Sequence, residues 1–375
     1  MNKIPVLQQT QNNLAQIEQL FDITRSIVSL SKELYSESFA TFRNNTFRTG
    51  FIAQTIHPEG FGIKQSFYHL SSIRSSPVAN KGVIFFGSNS QYIHSIDSLT
   101  FQELWRCKTY KEVMSTPAVE ANTLYVGSFD TNFYAVNIQN GIQKWKFKTE
   151  DWIFSSPLIY NEKVIFGGMD GTMYALNKYN GKLIWKYKTE HWIIASPAQF
   201  DNFLIFGTRD KRILCLDINN GKEKWTFHTN APIHATAAIF DHTLFVGDLA
   251  GNFYAIRAYD GSVKWQSIVG SAIFSSAAIS DKILIFGTKK SGIYAMNPTN
   301  GNEIWHKELN HASHASPLLF ENIVITGTEN GDILVLSTNN GQSLWSYHTD
   351  DAIRTSPLFA EGKIYISGSA LFRIY

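Results

Sequence analysis

Cysteine is almost missing from this chain. Cys107 and Cys215 alone rule out a disulfide-stapled scaffold and a multi-cysteine zinc module. Charge is sparse too, at 17% of residues, against about 25% in typical soluble domains. The net charge is +2, so no strong field draws the chain to nucleic acid or to an anionic membrane. No apolar run reaches the roughly 18 residues that span a bilayer. The start, MNKIPVLQQTQNN, has no apolar h-region and no cysteine to acylate, so a cytoplasmic protein is expected. No G-x-S-x-G, phosphate loop or H-E-x-x-H occurs. Aromatic residues, in contrast, make up 14% of the 375 positions. That is ample material for a core and excludes a disordered chain.

What the chain does have is a period. Trp105, Trp145, Trp185, Trp225, Trp265, Trp305 and Trp345 stand forty residues apart without slippage. Gly87, Gly127, Gly167, Gly207, Gly247, Gly287 and Gly327 keep the same step. So do Pro77, Pro117, Pro157, Pro197, Pro317 and Pro357, with Ala237 and Ala277 in the two remaining slots. A fixed period of this length means one supersecondary unit repeated. The unit from Ser155 reads as four strands: A about Ser155–Tyr160, B Lys163–Phe166, C Thr172–Asn177 and D Leu183–Thr189. Asn180-Gly181 separates C from D, a hairpin signal because both residues tolerate positive φ. Only Thr100-Phe101 departs from the Asn-Gly or Asp-Gly pattern at that place.

Four-stranded antiparallel units of this length build a β-propeller. The fold class is all-β, with proline on the innermost strand removing a donor from a free edge. Seven full units fill Ser71–Asp350, and Asp351–Tyr375 supplies strands A, B and a short C of an eighth. Its missing strand D is found before the first unit, where Ile63–Tyr68 aligns with Gln65 in the tryptophan slot. Eight blades closed by both chain ends are expected over residues 51–375. Residues 1–50 form an N-terminal extension, with apolar spacing that predicts an amphipathic helix at about 12–36. Arg25 is the one basic residue between Lys3 and Lys32, too little for a membrane-surface helix.

The run Ala175–Trp185, ALNKYNGKLIW, resembles the tryptophan-docking motif of quinoprotein-like propellers. It returns at Ala135–Trp145, Ala255–Trp265 and Ala295–Trp305, and the resemblance covers about residues 62–375. The resemblance implies that the seven in-phase tryptophans are structural and dock on the neighbouring blade. The family includes quinone-dependent dehydrogenases, which carry an adjacent Cys-Cys pair, calcium ligands and long insertions. Here the cysteines lie far apart and the period never breaks, so no quinone cofactor is expected. The family also includes an outer-membrane assembly lipoprotein, whose signal and acylated cysteine have no counterpart here.

In a repeat, function belongs where the copies differ. The residue two before the strand A hydroxyl reads, round the ring, Arg74, Met114, Phe154, Ile194, His234, Phe274, His314 and Arg354. His314, Arg354 and Arg74 become neighbours on closure, and Met114, Phe154 and Ile194 form an apolar arc. Trp152 and Trp192, off the docking phase, add aromatic surface to the same mouth. These ten residues are the expected ligand contacts, suited to a peptide, a protein partner or a small anionic or amphipathic molecule. The plain alternative is that they plug the channel. Asp350 and Asp351 adjoin Arg354 and are expected to neutralise it. The eight hydroxyls at Ser76, Thr116, Ser156, Ser196, Thr236, Ser276, Ser316 and Ser356 read as structural hydrogen bonds.

The first functional reading is a non-catalytic, monomeric binding propeller without a resident cofactor. The second is an enzyme, peptide-tailoring or metal-assisted, using His234, His314, Arg74 and Arg354 for acid–base and anion-stabilising work. A third, quinone-dependent dehydrogenation, ranks last. A metal between His234 and His314 needs a third ligand across the channel, and His311-x-x-His314 can share an ion only if its loop bends.

Overall fold

The computed structural model describes residues 41–375 apart from 44, 69–71 and 291, and gives the backbone alone for 64–68. The helix expected at 12–36 lies outside the described residues. A compact unit spans Phe39–Tyr375.

Among the described residues, eight separate sheets each hold four antiparallel strands. The blade that begins near Ser155 has strands Leu158–Tyr160, Lys163–Gly167, Thr172–Asn177 and Leu183–Lys188 in that order. Strand A is shorter than its sequence expectation, and the reason is local. Pro157 has no N–H to donate, and the Ser156 amide is already spent on Ser196 Oγ of the next blade at 2.9 Å. Strand D stops one residue early because the Thr189 amide turns to Gly171 O at 2.7 Å.

The ring closes as expected. Ile63–Tyr68 pairs antiparallel with Ala370–Ile374, with Gln65 opposite Phe372. Gly62 and Tyr375 exchange backbone hydrogen bonds of 3.0 and 3.1 Å. Both chain ends thus complete one sheet and no sheet edge is left open between the first and last blades.

Adjacent blades lock through the tryptophans. Trp145 Nε1 donates to Lys178 O at 3.1 Å, and the same bond, thirty-three residues on, recurs from Trp105, Trp185, Trp225, Trp265 and Trp305. The indole lies on the glycine of the next blade's C–D turn. Gly181 has φ +71°, and a Cβ there would fall 2.6 Å from Trp145 Cε3. Glycine is therefore required twice, by the left-handed backbone and by the ring lying on it. The two sequence departures fall at the matching places of one junction between blades. Position 65 carries glutamine where an indole belongs, and Phe101 (φ +62°) occupies the turn where glycine belongs. Phe101 is buried and is covered by Arg373 at 4.8 Å and by Tyr365.

Candidate functional site

One repeated device positions the channel-mouth residues. Each strand B except the last ends in glycine, and the incoming D–A loop presses a side chain into the space. A Cβ on Gly127 would lie 2.1 Å from Ile153 Cγ2. The Ile153 amide donates to Ser128 O at 3.2 Å, and its side chain is fully buried. Phe154, the next residue, then lines the channel. Two residues later comes the hydroxyl. Its blade's amide donates to the hydroxyl of the following blade from Ser76 through Thr116, Ser156, Ser196, Thr236 and Ser276 to Ser316, and again from Ser356 to Ser76. The backbone is thus fixed by repeated parts, while the mouth side chain changes from blade to blade.

The result is one central cavity of about 260 Å³. Its wall contains Arg74, Met114, Phe154, Ile194, His234, Phe274, His314 and Arg354, above the ring of eight hydroxyls, with Phe42 also on the wall. The eight positions singled out by their variation therefore converge. Trp152 and Trp192 do not join them. Trp152 stacks on Phe129 at 4.7 Å, and Trp192 lies under Arg209 at 5.0 Å in a separate shallow recess with His191 and Pro232. Both remain about two-fifths exposed, at 40% and 42%.

The polar arc is ordered by a carboxylate that the sequence reading passed over. Glu329 accepts from Arg354 Nε at 2.7 Å and from Arg354 Nη2, and its Oε1 lies 3.0 Å from His314 Nδ1. Asp350 and Asp351 do not take this role. Asp351 instead accepts from Ser72 Oγ at 3.0 Å and from the Ala352 amide. Glu329 holds the Arg354 guanidinium above its ordinary range. Burial pulls His314 below the usual histidine value, against the opposing pull of Glu329. Burial, with the charge of Arg209 behind it, pushes His234 down to about 4, so its ring is neutral at pH 7. His234 and His314 each keep a buried Nε2 without a hydrogen-bond partner. Phe274 separates them, with ring centroids 5.4 Å from His234 and 4.7 Å from His314. Arg74 is exposed and, among the described residues, forms no ion pair.

His311 lies in the D–A loop rather than in a strand, is exposed, and is absent from the cavity wall. Among the described residues no group of three histidine, cysteine or acidic side chains is arranged to hold a metal ion. Neither cysteine lines the cavity. Cys215 is buried in a blade core and pushed up to about 12, and burial raises Cys107 as well, so neither thiol is a nucleophile at neutral pH. Glu329 stood at a B–C turn position reading Asn89, Phe129, Met169, Arg209, Leu249, Lys289 and Glu329. That position varies as widely as the mouth residues do, and this was the signal that could have revealed it. Phe42 carried no such signal, because it lies outside the period.

No helix among the described residues is long and apolar enough to cross a membrane. No curated protein matches the chain. Among solved structures, the computationally designed Ika8 protein superposes with a TM-score of 0.74 at 19% identity, over 83% of this chain and 98% of that one. BamB from Moraxella catarrhalis gives 0.72 at 19%, over 84% and 99%. The quinohemoprotein alcohol dehydrogenase from Comamonas testosteroni gives 0.80 at 13%, over 91% and 81%. At these identities the likeness is one of fold. A family model, that of the outer membrane protein assembly factor BamB, matches residues 54–191, 149–288 and 209–370. Those overlapping matches span nearly the whole ring, and the chain belongs to this family of quinoprotein-like repeats.

Proposed function

We propose that the protein is a non-catalytic binding propeller whose central cavity receives an anionic group attached to an apolar body. A carboxylate-bearing peptide segment or a small organic acid has that chemistry. One observation carries the reading: the eight positions where the blades differ meet in one cavity, while the positions around them repeat. The wall is divided. Arg74, Arg354 and the two histidines occupy one arc, and Met114, Phe154 and Ile194 the other. Glu329 stands behind the wall and pairs Arg354, so the cation that an entering anion meets unpaired among the described residues is Arg74, with Arg354 available in exchange for Glu329. A quinone held over calcium has no place in this reading. That arrangement needs oxygen ligands for the cation, and the wall's only oxygens from side chains are hydroxyls already engaged between blades. In the same reading the protein acts in the cytoplasm as a monomer, and its two unpaired thiols suit a reducing compartment.

The test is binding of hexanoate and of an acetylated tripeptide ending in leucine, each against its neutral amide. Saturation-transfer NMR on the full chain reads the contact. Carboxylates bind more tightly than amides, and Arg74→Ala with Arg354→Ala removes the difference without unfolding the ring. Equal binding of acid and amide overturns the proposal.

The second reading, catalysis, draws on the neutral His234 and its unpartnered Nε2, a group suited to accept a proton. Turnover lost in His234→Gln with ligand binding retained would support it over the first.

A further inference from the structure

At the end of the channel away from the mouth, residues 45–52 cross the inner edges of four innermost strands. Gln199, Ile239, Ile279 and Leu319 donate their amides to Thr46, Phe47, Thr49 and Gly50 O at 2.8–3.0 Å. The Ile52 amide returns a bond to Leu319 O at 2.8 Å. Four consecutive blades are thereby tied to one strap, residues 41–52, of turns and irregular backbone.

Two arginines of that strap point inward and are buried, Arg48 completely. Arg43 Nη1 donates to Pro317 O at 2.6 Å and its Nη2 donates to Ala277 O. Arg48 Nε and Nη2 donate to Pro197 O and Pro157 O, both at 3.1 Å. Arg48 Nη1 donates to Phe42 O at 2.6 Å. Every one of these acceptors is neutral. Burial lowers both guanidiniums to about 9, so both keep their charge at neutral pH. Apart from Phe42 O, which lies in the strap, the acceptors share one origin. Each of the other four is the carbonyl of the proline-slot residue just before strand A, and the eightfold repeat aims these carbonyls at a common axis. A carbonyl there has no sheet partner on its inner side and would otherwise be buried unsatisfied. A planar fork with several N–H groups spans two such carbonyls from adjacent blades, and an ammonium does so less well.

We propose that this end of the channel is a guanidinium-recognition crown, with Thr41–Ile52 as its tethered ligand. The crown selects the planar fork over a point charge. By bonding Phe42 O, Arg48 also fixes the residue that joins the cavity wall, so occupancy of the crown closes the channel from below. The inference stands independently of what binds at the mouth.

The experiment uses the full chain and thermal unfolding. Arg43→Ala and Arg48→Ala lower Tm, and tens of millimolar methylguanidinium restore a measurable part of the loss. Ethylammonium at equal ionic strength does not, and neither salt raises wild-type Tm. Equal effects of the two salts on the variants overturn the proposal. Should an alanine variant fail to fold, Arg43→Lys and Arg48→Lys carry the test. Each keeps the charge but loses the fork, so Tm falls, and lysine variants as stable as wild type overturn the proposal.

Discussion

Replacing Gly181 with alanine tests the blade-to-blade lock, and Gly362 provides the control. Both glycines have φ +71°, so alanine meets the same left-handed backbone at each, costing about 1–2 kcal/mol. Their surroundings differ. A Cβ at Gly362 meets nothing within 4 Å, whereas at Gly181 it would lie 2.6 Å from Trp145 Cε3. The indole must then move, and overpacking of that kind costs roughly 1–3 kcal/mol. Movement also strains the Trp145 Nε1 bond to Lys178 O, worth about 1 kcal/mol. Gly181→Ala is therefore expected to destabilise by about 2–6 kcal/mol and Gly362→Ala by about 1–2. Urea unfolding followed by circular dichroism and by tryptophan emission reads both, provided the two probes coincide. Equal losses at the two sites would refute the claim that the indole–glycine contact holds neighbouring blades together.

Three further outcomes follow from the same geometry. His234 is pushed down to about 4 in the folded ring and titrates near 6.5 when unfolded. Its contribution is whole above pH 6.5 and is lost as pH falls toward 4. The shift sets a ceiling of about 3 kcal/mol, reduced to roughly 1–2 by partial solvent contact. Wild type minus His234→Gln in urea unfolding from pH 7.5 to 4.5 measures that slope, and parallel curves would contradict the assignment. Glu329→Gln removes the charge that raises His314, so the His314 midpoint in an NMR titration moves further down, and carboxylate probes bind more tightly to the freed Arg354. A midpoint that moves up would place another group in control. Deleting residues 61–68 uncovers the edge of Ala370–Ile374, and the product is expected to self-associate in size-exclusion chromatography. A stable monomer would show that ring closure contributes little.

The architecture was legible because a strict period exposes itself. The phase of Trp105 to Trp345 fixed blade length, and the tail after Asp350 fixed where the ring must close. The cavity wall was legible for the complementary reason, since Arg74 to Arg354 vary where their neighbours do not. Legibility ended where the period ended. Nothing in Arg43 and Arg48 announces a crown of carbonyls, because the partners are backbone atoms that the sequence does not distinguish. Trp152 and Trp192 were drawn into the mouth by chain proximity. The loop turns them outward, onto Phe129 and under Arg209. Asp350 and Asp351 adjoin Arg354 in sequence, yet Glu329 arrives from the B–C turn of the preceding blade, twenty-five residues away.

The binding claim is tested most directly by a crystal soaked in 4-bromobenzoate and measured at the bromine absorption edge. The account places the anomalous peak against Met114, Phe154 and Ile194, with the carboxylate toward Arg74 and Arg354, and empties the site when Ile194→Trp fills the cavity. A bromine found only outside the channel, or one that persists unchanged in Ile194→Trp, would contradict it.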